Sequence, residues 1–229
     1  FADEPTNWTG FYGSAMIGKT VGNAENKDGT VSYLLANGLV DRGAIYPIEG
    51  NKSTFQGING TIKVGYNKQI DNNLVGAELG ASWQDLKANN LMDKTNPAFA
   101  QTKIDTYQTA RLRFGHIFNE NTLAYVTGGA AIGQIKSKLS NLNENWTYAP
   151  YDTLSDSKTE LGYVVGFGVE RKLSERFSLR ADYEYVDFGK VNFDYLQPYL
   201  VNTRRDATSI QQSNSVHFSN LSAGISYSF

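Results

Sequence analysis

The final segment of the chain, Val216 to Phe229, constrains everything upstream of it. From Leu221 it alternates without a break. Leu221, Ala223, Ile225, Tyr227 and Phe229 fall on one face, and Ser222, Gly224, Ser226 and Ser228 on the other. A two-residue period belongs to an extended strand whose two faces meet different surroundings. Here the apolar face runs to an aromatic residue at the end of the chain. Chain ends usually fray in water, so a greasy aromatic end calls for something other than water. A closed barrel in lipid supplies it, because its outward face is apolar and aromatic side chains collect at the membrane boundary.

Seven earlier segments carry the same period. They are Gly10–Val21, Thr54–Lys68, Leu74–Leu86, Ile104–Phe118, Thr122–Ile135, Lys158–Arg171 and Arg176–Phe188. In the third, Val75, Ala77, Leu79, Ala81 and Trp83 oppose Gly76, Glu78, Gly80, Ser82 and Gln84. In the fourth, Ala110, Leu112, Phe114 and His116 oppose Asp105, Tyr107, Thr109, Arg111 and Arg113. The connections alternate in length. Turns at Gln69–Asn73, Asn119–Asn121 and Lys172–Glu175 are short, whereas residues of about 22–53, 87–103, 136–157 and 189–214 form long loops. Short periplasmic turns and long extracellular loops mark transmembrane barrels, and about 9–11 tilted residues per strand suffice to cross. The expected fold is all-β: an eight-stranded antiparallel up-and-down transmembrane β-barrel, with four long extracellular loops and three short periplasmic turns. It forms one domain over residues 1–229, with 1–9 as a polar periplasmic lead-in and both termini periplasmic. Phe1-Ala2 reads as the tail of a signal-peptidase site, with the mature chain beginning near Asp3.

Composition sets limits on function. The 229 residues contain no cysteine, which excludes disulfides and thiolate metal sites. No metal-ligand spacing is present. A net charge of -2 argues against nucleic acid as a partner. No apolar run reaches the ~18 residues of a membrane helix. A mean hydropathy of -0.41 suits a barrel, in which only alternate residues meet lipid. The rival architecture is a lipocalin-type barrel in water. Glycine weighs against it: Gly76, Gly80, Gly162, Gly166 and Gly168 lie on the charged face. Glycine there marks close approach by another group, which a crowded interior needs and a wet exterior does not.

Three motifs resemble one family. Trp8-Thr9-Gly10-Phe11-Tyr12, Arg111-Leu112-Arg113-Phe114-Gly115 and Tyr125-Val126-Thr127-Gly128-Gly129-Ala130 are similar to stretches of the opacity-like, porin-related outer-membrane proteins of alphaproteobacteria. His116 stands where that family has Tyr. The terminal segment also resembles the last strand of bacterial outer-membrane proteins. That resemblance implies recognition of Tyr227 and Phe229 by the outer-membrane assembly machinery. The family resemblance covers the strands and implies a bacterial outer-membrane surface antigen, adhesin or haemin-binding protein. Its partners would be outer-membrane lipid and a host extracellular component or haemin.

Glu78, Glu160, Glu170, Asp182 and Glu184 share the inward face with Arg111, Arg113 and Arg180. Buried charges must be paired, and eight strands leave an interior just wide enough for side chains to fill. A paired network is therefore expected, with a narrow porin-like passage as the alternative. Catalysis finds little support, since His116 and His217 are the two histidines and neither shows a nucleophile-base-carboxylate pattern. His116 reads as an interfacial residue. His217 reads as a rim histidine with loop acids such as Asp206 in reach. Asp187-Phe188-Gly189 matches a kinase tripeptide by coincidence. Trp146, Tyr148, Tyr151, Tyr195, Pro198 and Tyr199 cluster in the third and fourth loops, as a binding surface, a loop cap or an aromatic belt. If haemin binds, its flat face needs aromatic surface and its iron an axial ligand. The candidate contacts are His217, Tyr148, Tyr151, Tyr195 and Tyr199. No resident cofactor is expected.

Overall fold

The structure is a computed structural model that describes residues 7–26, 29–34, 40–48, 51–91, 98–119, 121–141, 154–201 and 204–229. Among these residues ten strands are present: β1 (Gly10–Asn26), β2 (Gly29–Leu34), β3 (Val40–Ile48), β4 (Asn51–Ile70), β5 (Asn73–Leu91), β6 (Ala98–Phe118), β7 (Thr122–Asn141), β8 (Leu154–Lys172), β9 (Phe177–Val201) and β10 (Arg204–Ser228). Eight of them close a wall in the order β1-β4-β5-β6-β7-β8-β9-β10, and β10 returns to pair with β1. Every neighbouring pair is antiparallel. The two remaining strands form a hairpin that hangs on the far end of β10, where Gln211 pairs with Thr30 and Ala207 with Leu34.

The register fixes the size of the cylinder. A path of directly paired residues leaves β4 at Gly60 and passes through Ile17, Ala223, Ala181, Val169, Ala124, His116 and Asn73. It returns to β4 at Ile70, ten residues from its start. With usual strand spacing and rise, that stagger gives a tilt of roughly 40° and a backbone radius of about 8 Å. Such a cylinder has room for its own side chains and little else.

Its faces are inverted relative to a protein that folds in water. Leu161 is 72% exposed, Ile58 71% and Phe11 66%, while Arg113 and Arg180 are fully buried and Lys63 is 2% exposed. Aromatic residues band both edges of the apolar exterior. Phe11 packs on Tyr66, and Tyr227 on both Phe177 and Phe229, at the end with the short turns. Trp83, with Tyr163 against Tyr185, marks the other edge.

Three sequence expectations change. The stretches read as long loops are largely strand. β1 runs on to Asn26, β5 to Leu91, β7 to Asn141 and β9 to Val201, and residues 22–53 also contain the β2–β3 hairpin. Beyond lipid both strand faces meet water, so pairing continues by backbone hydrogen bonds while the two-residue polarity signal disappears. Asp105 is not in the inward row. An irregularity in β6 between Ile104 and Tyr107 shifts the register, so both of those residues are buried and Asp105 turns outward to Lys103 and Lys136. The lead-in is not merely polar. Trp8 is buried with Leu74, Ile117, Leu123 and Tyr125 at the end of the barrel that bears the short turns.

Candidate functional site: a charged lumen and the long-strand rim

Inside the wall, six charges form a closed ring of alternating sign. Arg111 pairs with Glu78 and with Glu184 at 2.5 Å. Lys63 joins Glu184 to Asp182, 2.5 Å from each. Arg180 completes the ring, 2.9 Å from Asp182 and 2.5 Å from Glu78. Three cations meet three carboxylates, so the ring is neutral as a unit. The Tyr12 hydroxyl donates to Glu78 at 2.6 Å, and that of Tyr125 donates to Asp182. Below the ring, Arg113 pairs with Glu170 at 2.5 Å and lies 3.7 Å over the Tyr125 ring. Hydrogen bonds to charged partners are the stronger kind, and a low-dielectric interior raises the cost of leaving any member unpaired.

The inward glycines make this packing feasible. A Cβ on Gly168 would come within 2.5 Å of both the Tyr125 hydroxyl and an Asp182 carboxylate oxygen. The space that glycine leaves is where those two groups meet.

Above the ring lies an amide and hydroxyl layer. Asn220 donates to the Tyr107 hydroxyl at 2.6 Å, Thr20 donates to Asn220 at 2.6 Å, and Asn59 donates to Thr20 at 2.8 Å. Over that layer sits an apolar lid containing Phe55, Tyr107, Phe188, Phe193, Val216 and Phe218. Among the described residues an ionic ring, a polar layer and two apolar clusters succeed one another along the lumen.

The residues singled out from sequence fare differently. Glu78, Arg111, Arg180, Asp182 and Glu184 are ring members, and Arg113 with Glu170 forms the pair beneath. Glu160 is half-exposed on β8 and takes no part in the ring. Lys63 and Tyr12 were missed. Both are in period with inward residues of their strands, and that period was the available signal. His116 is exposed, with Nδ1 3.0 Å from Asn73 and its ring against Phe118, as an interfacial residue would be.

His217 is half-buried on β10, its ring centroid 6.1 Å from that of Tyr185. Its register partner is Asp187. Asp206 lies eleven residues further back on the same strand, opposite Tyr199, so it is not the acid at His217. Asp187 itself accepts from the Gly189 backbone N–H at 2.7 Å and from the Tyr163 hydroxyl at 3.2 Å. The kinase-like tripeptide is thus a local bend, with Gly189 at φ 67°. Tyr195 and Tyr199 lie on the extension of β9, opposite Ile210 and Asp206. Val31 and Tyr46 continue the Tyr195–Ile210 row across the hairpin. Trp146, Tyr148 and Tyr151 fall outside the described residues.

A closed antiparallel wall with an ionic interior, an apolar exterior and aromatic edges defines a transmembrane β-barrel. The chain belongs to the outer membrane protein beta-barrel domain family, which matches it over residues 2–229. It is similar to the 31 kDa outer-membrane immunogenic protein of Brucella melitensis, with 32% identity over 182 residues, 77% of this chain and 68% of that protein. It also resembles the 22 kDa outer membrane protein of Rhizobium leguminosarum, with 30% identity over 140 residues, 60% of this chain and 56% of that one. Neisserial surface protein A is similar in structure at 16% identity. That match spans 96% of this chain and 98% of that one at a TM-score of 0.42. The protein is therefore a β-barrel of the bacterial outer membrane.

Proposed function

We propose that this barrel is a non-enzymatic frame for a binding face built from its protruding strand ends. The long-strand end points out of the cell, and the short turns and both termini are periplasmic. The observation that carries the reading is the filled lumen. Eight mutually paired charges between two apolar clusters occupy the lumen among the described residues, which favours assigning activity to the exterior. Against catalysis, the carboxylate nearest His217 in register is already bonded to Gly189 and Tyr163. The Brucella relative is named an immunogenic protein, which fits outward exposure. The bound species is a host extracellular component or haemin, held by the aromatic residues at that end together with His217.

Haemin titration of refolded protein, followed by Soret absorbance, tests the ligand. Substituting Tyr195 and Tyr199, or Tyr148 and Tyr151, by Ala should weaken binding at least tenfold, and His217→Ala should shift the Soret band. Unchanged affinity in all three variants would remove haemin from consideration. Planar-bilayer recordings test the sealed frame. The expected trace is flat, and stepwise conductance would restore the narrow-passage alternative.

A further inference from the structure

The outer wall carries a basic patch that neither the lumen nor the aromatic rim explains. On β5, β6 and β7 the register sets Lys87, Lys103 and Lys136 directly opposite one another. Lys138 follows two residues along β7 and is exposed. The Lys103 and Lys136 side chains are 32% and 41% exposed. Like charges directly opposite in a sheet are unfavourable unless something offsets them. Asp105 bridges Lys103 at 2.7 Å and Lys136 at 3.0 Å, and Asp85 lies 3.9 Å from Lys103. Both acids precede the lysine row, on the side of the apolar band. On the far side the register partners are neutral: Ser157 faces Lys136, and both Ser155 and Gln101 face Lys138. Among the described residues, the two carboxylates that touch the lysines lie on their lipid side.

Height along the barrel decides what meets this charge. With a tilt near 40°, each residue climbs about 2.5 Å, which places Lys103 and Lys136 roughly 10 Å, and Lys138 about 15 Å, beyond Trp83 at the outer edge of the apolar band. That is the depth of lipid headgroups. The outer leaflet of a bacterial outer membrane is built largely of phosphorylated glycolipid. We propose that Lys103, Lys136 and Lys138 form a binding site on the barrel's outer wall for the phosphate groups of an outer-leaflet glycolipid. Asp105 holds the Lys103 and Lys136 ammonium groups side by side on one carboxylate and offsets their repulsion, so that both can face one phosphate. The apolar wall beneath, with Ile132 and Leu112 exposed, receives the acyl chains.

The site rests on the outward orientation proposed above, and the two are separable by experiment. Native mass spectrometry of refolded protein in detergent would compare a bisphosphorylated glucosamine-disaccharide lipid with its dephosphorylated form and with inorganic pyrophosphate. Each lysine beside an anionic surface contributes roughly fivefold in affinity. Wild type should therefore prefer the bisphosphorylated lipid at least tenfold. In K103Q/K136Q/K138Q that preference should fall below about threefold, while K68Q, at the other end of the wall, behaves as wild type. Single K136Q should lose an intermediate share, which guards against misfolding of the triple variant. A triple variant that keeps the preference, or a K68Q that loses it equally, overturns the site. Pyrophosphate bound as tightly as the lipid assigns the patch to soluble polyanions instead. Orientation is read apart from this, by labelling Asn121→Cys in whole cells, since the chain has no native cysteine. Labelling from outside would reverse the orientation without touching the detergent result.

Discussion

Replacing Glu78 with Gln isolates the worth of the ionic ring. Glutamine keeps the shape of the side chain and removes one negative charge. Glu78 is buried at 2% exposure and accepts from Arg111, Arg180 and Tyr12. Its loss turns a neutral ring into one with an excess cation. Breaking a buried pair by removing one partner costs about 3–5 kcal/mol. The low end applies here, because Arg111 keeps Glu184 at 2.5 Å and Arg180 keeps Asp182 at 2.9 Å. Glu170→Gln should cost more, near ~5 kcal/mol. Among the described residues Glu170 is the carboxylate that Arg113 pairs with. Urea unfolding of refolded protein in phospholipid bilayers, read by tryptophan fluorescence and by gel mobility without boiling, gives both values. The decisive measurement adds Arg180→Met to Glu78→Gln, which restores neutrality. The double variant should recover part of the loss, with a coupling of about 1–3 kcal/mol in the cycle. Glu78→Gln within ~0.5 kcal/mol of wild type, or strictly additive losses in the double variant, would refute the idea that charge balance in the ring sets stability.

Other outcomes follow from the same geometry. Gly168→Ala should destabilise by about 1–3 kcal/mol by forcing the Tyr125–Asp182 contact apart, and a neutral result in the same unfolding assay would mean the lumen is loosely packed. Leu79, 60% exposed on the lipid-facing wall, should cost about 2–4 kcal/mol as Leu79→Arg near the bilayer midplane; tolerance there would contradict the membrane-facing assignment. Tyr227→Ser with Phe229→Ser should refold in detergent yet reach the outer membrane poorly in cells, as fractionation would report. Full delivery of that variant would end the proposal that the assembly machinery reads these two residues.

Strand faces were legible because each residue on a membrane strand meets either lipid or lumen, and the two environments select opposite side chains. Phe11 and Tyr12 illustrate it, one 66% exposed and the next 4%. Asp105 was not legible, because a register shift in the backbone reverses parity without any change in residue type. The strand extensions past Val21, Leu86, Ile135 and Phe188 were hidden for a related reason: water on both sides erases the contrast on which the period depends. At the candidate binding end the sequence offered His217, Tyr195 and Tyr199 but no geometry, and strand register places Asp187, not Asp206, opposite His217.

The alternation of side chains determined by itself that this chain forms a barrel with greasy walls and a charged interior. It did so because lipid imposes a local rule, residue by residue. Which charges meet was settled only in three dimensions. Lys63 joins Asp182 and Glu184 from strands far apart in the chain because closure of the wall with a ten-residue stagger brings their inward rows to one level. Pairing across a closed cylinder depends on stagger and radius, and no local pattern records either.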